Sequence, residues 1–100
     1  MEVNVLILIT YDISITDPKG AKRLRRVAKQ CRNYGVRVQN SVFECRVDAA
    51  QYAKLKHLIL QEIDPQKDSI RFYSLGNNYS AKVEHFGVEY GIKPDEPLIL

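Results

Sequence analysis

From residue 36 to residue 47 the chain reads Val-Arg-Val-Gln-Asn-Ser-Val-Phe-Glu-Cys-Arg-Val, and its alternation changes register partway through. Apolar residues fall on even positions at Val36 and Val38, then on odd positions at Phe43, Cys45 and Val47. Side chains of a strand alternate between two faces, so a slip of one residue turns every later side chain over. The break at Asn40 is therefore a bulge or, the reading adopted here, a tight hairpin around residues 39–41 joining two short strands.

Outward toward the N-terminus, residues 19–34 space Leu24, Val27, Ala28, Cys31 and Tyr34 as an amphipathic helix, with Gly35 suited to its C-terminal cap. Residues 3–11 are rich in β-branched side chains and predict a strand. Its odd positions, from Val3 to Tyr11, share one face; its even positions, among them Leu6, Leu8, Thr10 and Asp12, share the other. Both faces are apolar in the middle, the mark of a central strand covered on both sides. Outward toward the C-terminus, Asp48 and Gln51 predict a capping box that opens a helix with Tyr52, Leu55, Leu58, Ile59 and Ile63 on its apolar face, ended by Asp64-Pro65. A strand over 69–75, a turn at Gly76-Asn77-Asn78 and a weaker strand over 81–86 follow.

That order is the ferredoxin-like βαββαβ plan of an α+β domain, with an additional C-terminal strand. Residues 1–86 make the ferredoxin-like domain; residues 87–100 make a tail whose apolar end, Pro97-Leu98-Ile99-Leu100, suits a short edge strand. In this plan both helices cover one sheet face. Leu6 and Leu8 on the other face need a second cover, which the same face of a second copy supplies, so a homodimer is expected.

Cys31 and Cys45 are too few for a disulfide framework and lack zinc-site spacing, so both are read as free buried thiols. The apolar run near the N-terminus is far shorter than a membrane span and has no basic leader, so the expected location is the cytoplasm, with no membrane partner. The net charge of +3 hides a segregation: residues 18–43 hold eight of the fifteen cations and no acid. A local positive field of that kind suits a polyanion; a solvated helix face is the plain alternative.

The first strand ends on a carboxylate, Asp12. Two copies joined through the open sheet face bring two Asp12 side chains near the axis, where a divalent cation relieves their repulsion. Mg²⁺ is commonly held by one or two carboxylates plus substrate phosphates, and it activates water and polarises a phosphodiester. On spacing alone, a strand-end or capping role for Asp12 stays open beside the metal role. Arg23, Arg25, Arg26, Lys29 and Arg37 are candidate phosphate contacts. His57 and His85 have no spaced partner and are read as structural. Ser41 and Cys45 lack a nearby base for nucleophilic catalysis.

The Tyr11-Asp12-Ile13 strand end, the Arg25-Arg26-Val27-Ala28 helix segment and above all RVQNSVFEC over 37–45 resemble the CRISPR-associated Cas2 family, the small subunit of the spacer-acquisition machinery. The resemblance covers nearly the whole chain. Leu75-Gly76-Asn77-Asn78-Tyr79 and Asp95-Glu96-Pro97-Leu98-Ile99-Leu100 resemble the branch accompanying type I-C systems. The resemblance implies a ferredoxin-like homodimer that bridges two dimers of the Cas1 integrase and holds duplex DNA. It also implies a Mg²⁺-dependent endonuclease, with Mn²⁺ as the alternative ion, acting on single-stranded RNA in some members and double-stranded DNA in others. The family's metal aspartate falls on Asp12, its tyrosine on Tyr11 as a second catalytic residue, its arginines on Arg26 and Arg37 and its phenylalanine on Phe43, which with Ser41 is taken as supporting. Where some ribonuclease members carry another helix arginine this chain has Leu24, so duplex DNA is the expected substrate.

Overall fold

The computed structural model describes residues 4–75 and 82–88. The elements run β1 (Val5–Asp12), α1 (Gly20–Tyr34), β2 (Gly35–Gln39), β3 (Val42–Val47), α2 (Ala49–Glu62), β4 (Ser69–Leu75) and β5 (Lys82–Gly87). The strands form one sheet in the order β2-β3-β1-β4-β5, with every neighbouring pair antiparallel. The first four strands make the ferredoxin-like sheet, and β5 adds the expected extra strand outside β4. The turn expected at Gly76-Asn77-Asn78 and the edge strand expected at Pro97-Leu98-Ile99-Leu100 lie outside the described residues.

At the stretch that breaks register, the hairpin and the bulge are both present. Asn40 and Ser41 make the turn, with Gln39 opposite Val42; the pairing shifts between Arg37 and Gln39, which leaves Val38 as the extra residue. Gly35 is the C-cap of α1 as expected, its amide donating to the Cys31 carbonyl, and it has a second role. Its backbone is extended and already belongs to β2, and a Cβ there would run into the Glu44 carbonyl and the Cys45 sulfur. The glycine lets helix pass to strand with no connecting loop because β3 lies so close. The capping box at α2 is present as expected: Asp48 accepts from the Gln51 amide at 2.7 Å, and Gln51 accepts from the Asp48 amide at 3.0 Å.

Alternation along β1 divides it as the sequence predicts. Ile7, Ile9 and Tyr11 face the helices and are buried, while Leu6, Leu8 and Thr10 are half-buried and Asp12 is exposed. The core joins Ile7 and Ile9 to Val27 and Cys31 of α1, Leu55 and Ile59 of α2, Phe43 and Cys45 of β3, and Ile70 and Phe72 of β4. Burying side chains of this size contributes about 1.5–3 kcal/mol each. The open face carries Leu6 and Leu8 with Leu75 opposite Leu6, and Val36 on β2, which is 68% exposed. No helix among the described residues is long and apolar enough to cross a membrane.

Candidate functional site

Asp12 is the last residue of β1 and lies opposite Ser69, the first of β4. One pair further in, Thr10 lies between Val42 on β3 and Arg71 on β4. These residues, Tyr11 and Ser41 line a shallow cavity of about 170 Å³ at the end of β1. The Ser41 carbonyl accepts the Tyr11 amide at 3.1 Å, which ties the hairpin turn to the end of β1. Arg71 is buried despite its charge and lines the same cavity as Asp12.

A metal ion at Asp12 would meet one carboxylate from this chain, in a cavity that Thr10, Ser41 and Ser69 also line; the Ser69 hydroxyl already pairs with His85 Nε2 at 3.0 Å. Among the described residues no group of three or more His, Cys, Asp or Glu gathers. Such a donor set fits Mg²⁺, which keeps several waters and accepts phosphate oxygens, and does not fit a fully protein-ligated ion. A second copy's carboxylate or a substrate phosphate would complete it.

The sequence groups Tyr11 with Asp12 as catalytic; both residues line the shallow cavity at the end of β1, while their side chains leave the strand on opposite faces. Tyr11 turns to the helix side, where its hydroxyl donates to the Asn40 carbonyl at 3.3 Å and its ring stacks on Phe43 at 6.2 Å between centroids. Arg37 lies over the other side of this cluster, its guanidinium carbon 5.2 Å from the Phe43 ring centroid. Burial pushes the Tyr11 phenol up and nearby Cys31 adds to this, while the Arg37 and Arg32 guanidinium groups pull it back. Around this cluster a cavity of about 450 Å³ is lined by Tyr11, Leu24, Arg25, Arg32, Arg37 and Asn40. Three of its side chains are arginines, so the helix side is a concave positive surface. Leu24 packs against the core, as its helical position requires.

The other cations divide. Arg25, Lys29 and Arg32 are exposed on α1; Arg26 is 55% exposed and makes only a loose 3.7 Å contact with Glu62. Arg23 stands apart from the phosphate contacts with which the sequence grouped it. Its side chain is only 14% exposed, with Nε 2.8 Å from Asp68 and Nη2 3.2 Å from Asp17. Its guanidinium is committed to the chain itself. The Arg23 and Lys67 cations and the Lys19 amide hold the Asp17 carboxyl well below the usual carboxylate range. Ser69, Arg71 and Asp68 are absent from the sequence reading of the site. Their place follows from the pairing of β4 with β1, which only the strand order reveals.

A ferredoxin-like domain with an exposed strand-end carboxylate on one face and a positive concavity on the other is suited to a phosphodiester polyanion. The chain matches the family model described as CRISPR associated protein Cas2 over residues 5–83. It is 58% identical over 96 residues to a CRISPR-associated endoribonuclease Cas2 of Nitratidesulfovibrio vulgaris, covering 96% of this chain and 94% of the relative. It is 56% identical over 95 residues to a CRISPR-associated endonuclease Cas2 of Halalkalibacterium halodurans, covering 95% and 99%. The crystal structure of Streptococcus pyogenes Cas2 at pH 6.5 superimposes with a TM-score of 0.66 at 55% identity, covering 74% of this chain and 89% of that one. The chain belongs to the Cas2 family of CRISPR-associated proteins.

Proposed function

We propose that this protein is a homodimeric, Mg²⁺-dependent endonuclease of CRISPR adaptation, acting in the cytoplasm on double-stranded DNA within a type I-C-like system. The observation that carries it is the exposed Asp12 carboxylate, in a polar cavity at the end of β1. Asp12 would hold the ion, with Mn²⁺ as the alternative; the ion would polarise a phosphodiester and lower the pKa of bound water. Arg25, Arg26, Lys29 and Arg37 grip phosphates, giving affinity that is independent of sequence and sensitive to salt. Phe43 supports Arg37, and Ser41 holds the end of β1. Arg23 stays out of the contact set because its donors are occupied. A second copy covers Leu6, Leu8 and Leu75 and brings a second Asp12 to the site.

The relatives' names divide between endoribonuclease and endonuclease. Duplex DNA is preferred because half-buried Leu24 borders the positive cavity at the position where some ribonuclease relatives carry an arginine. A second reading rests on a separate observation: the cations of the helix side and Asp12 lie on opposite faces of β1. A dimer could therefore hold DNA for the Cas1 integrase with no hydrolytic step, and both roles can coexist.

The test is a metal-titrated cleavage assay of wild type and Asp12→Asn on duplex DNA and on single-stranded RNA, with folding checked by circular dichroism. Duplex cleavage by wild type and none by Asp12→Asn is the expected result. Cleavage that persists in the variant removes Asp12 from the chemistry. Binding of duplex with no cleavage under any metal leaves the scaffold reading.

A further inference from the structure

Asp68 is a wholly buried carboxylate, 0% exposed, in the turn between α2 and β4. Its Oδ1 accepts from the Ser14 amide at 3.0 Å and from Arg23 Nη2 at 3.2 Å; its Oδ2 accepts from Arg23 Nε at 2.8 Å and from the Asp64 amide at 2.8 Å. Arg23 in turn donates from Nη2 to the Ser14 carbonyl at 3.2 Å and to Asp17 Oδ2 at 3.2 Å, and from Nη1 to Asp17 Oδ1 at 3.3 Å. Two-pronged guanidinium–carboxylate contacts of this kind fix orientation as well as distance.

The location of the network is informative. Ser14 stands two residues beyond Asp12, and Ser69, the residue after Asp68, is Asp12's partner across β1 and β4. The pair therefore grips the chain on both sides of the last β1–β4 rung. Gly20, the first residue of α1, lies so close that a Cβ there would run into the Ser14 carbonyl. End of β1, start of β4 and start of α1 are one joint. A buried ion pair is on balance a weaker stabiliser than apolar packing of the same volume, so stability alone is a poor account of it.

We propose that Arg23 and Asp68 form a positioning pair that fixes the backbone at the end of β1 and the start of β4, and with it the orientation in which Asp12 presents its carboxylate to an ion. The inference rests on Asp12 being the metal residue. Arg23 and Asp68 touch neither ion nor nucleic acid; they act through the backbone at Ser14 and Ser69.

The test uses the full chain as the dimer and reads metal binding separately from cleavage. Arg23→Lys keeps the charge and replaces the guanidinium fork with one ammonium, which cannot bridge Ser14, Asp17 and Asp68 at once. Mn²⁺ is titrated while paramagnetic broadening is followed at the amides of Asp12, Ile13 and Ser69. In the folded variant the half-saturating Mn²⁺ concentration is expected to rise, and kcat for duplex cleavage to fall, each about tenfold, with metal-free duplex affinity within about twofold of wild type. A lower melting temperature with the Mn²⁺ titration and kcat per folded molecule unchanged overturns the proposal and leaves a merely stabilising pair. Should Arg23→Lys not fold, Asp17→Asn carries the test: it frees the outer side of the same arginine, and a smaller shift in the same direction is expected, while no shift overturns the proposal. If wild type itself shows no broadening at these amides, the metal reading of Asp12 has failed and the positioning role falls with it. If wild type broadens and the variants broaden equally, only the positioning role falls.

Discussion

Tyr11 and Asp12 are consecutive residues of one strand, and their surroundings differ in every respect. Tyr11 is 5% exposed, stacked on Phe43 and bonded to the hairpin carbonyl of Asn40. The Asp12 side chain is exposed, and among the described residues it makes no hydrogen bond or ion pair. The Tyr11 side is a surface that one chain completes by itself: a ring stack holding an arginine against a positive concavity. The Asp12 side offers one carboxylate and a shallow polar cavity, and it lacks the ligands to hold an ion by itself. On the function proposed above, two residues of one motif serve two surfaces, one complete within the chain and one completed by a second copy, an ion or a phosphate.

The strongest way to break this division is Asp12→Asn. The substitution is nearly isosteric, and an amide is a far poorer Mg²⁺ ligand than a carboxylate. Losing several kcal/mol of charge stabilisation lowers metal-dependent cleavage by about a thousandfold or more, while duplex affinity, carried on the other face, stays within about twofold. Quantitative gel-shift and cleavage assays on one preparation check both halves. An equal loss of binding would join the two faces into one site.

Phe43→Ala probes the prebuilt side at its base. The ring is fully buried beneath Tyr11 and Arg37. Removing it leaves a cavity and a loss of about 3–5 kcal/mol in unfolding free energy, measured by urea titration. The arginine loses its platform as well, so duplex affinity of the folded fraction should fall.

The division was only partly legible in the sequence. Alternation over residues 3–11 predicted which β1 side chains face the helices, because strand period is a local property. The capping box at Asp48 was equally local. Yet the same alternation implied that Tyr11 and Asp12 diverge, and their adjacency in a shared motif outweighed it. Arg23 was grouped with its cationic neighbours because helical spacing carries no information about Asp68, far along the chain. Ser69 and Arg71 entered the site only through antiparallel register, which depends on strand order. Gly35 was legible as the helix cap, whereas the close approach of Glu44 that excludes a Cβ there is a tertiary fact.

Arg37→Ala sharpens the comparison more gently. One phosphate contact removed should lower duplex affinity about tenfold or less and reduce the slope of log affinity against log salt by about 0.9. Cleavage should suffer through KM, with kcat at saturating DNA little changed. A fall in kcat with an unaltered salt slope would place Arg37 with Asp12 and not with the phosphate surface.

Acid separates the two sides by a different route. The folded-state pKa of Asp17 is depressed, chiefly by its hydrogen bonds with Arg23. Its contribution is therefore fully present above the ordinary carboxylate pKa and is lost as pH falls below that range. The loop after Asp12 should loosen in acid before the Phe43 stack does. Hydrogen exchange at Ser14 and at Arg37 from about pH 4 down to about pH 2 measures this, and Asp17→Asn should remove much of the difference.

Tyr11→Phe is the smallest change and separates the faces most directly. It deletes one oxygen, whose bond to the Asn40 carbonyl is long at 3.3 Å and spans the hairpin turn. A hydrogen bond of this kind contributes about 0.5–1.5 kcal/mol, so a modest drop in melting temperature is expected. Burial pushes the phenol up from its ordinary value, and its hydroxyl donates to the Asn40 carbonyl, although Tyr11 also borders the Asp12 cavity. If the two surfaces are distinct, the folded variant retains cleavage within about twofold of wild type, since no group that meets the ion or the scissile phosphate has changed. A pH–rate profile taken alongside should keep its shape. A large fall in kcat, or a lost basic limb in that profile, would mean that the Tyr11 hydroxyl reaches the reacting phosphate after all; β1 would then have to twist at its last residue when the second copy or the nucleic acid binds, and the prebuilt and unfinished surfaces would be halves of one site.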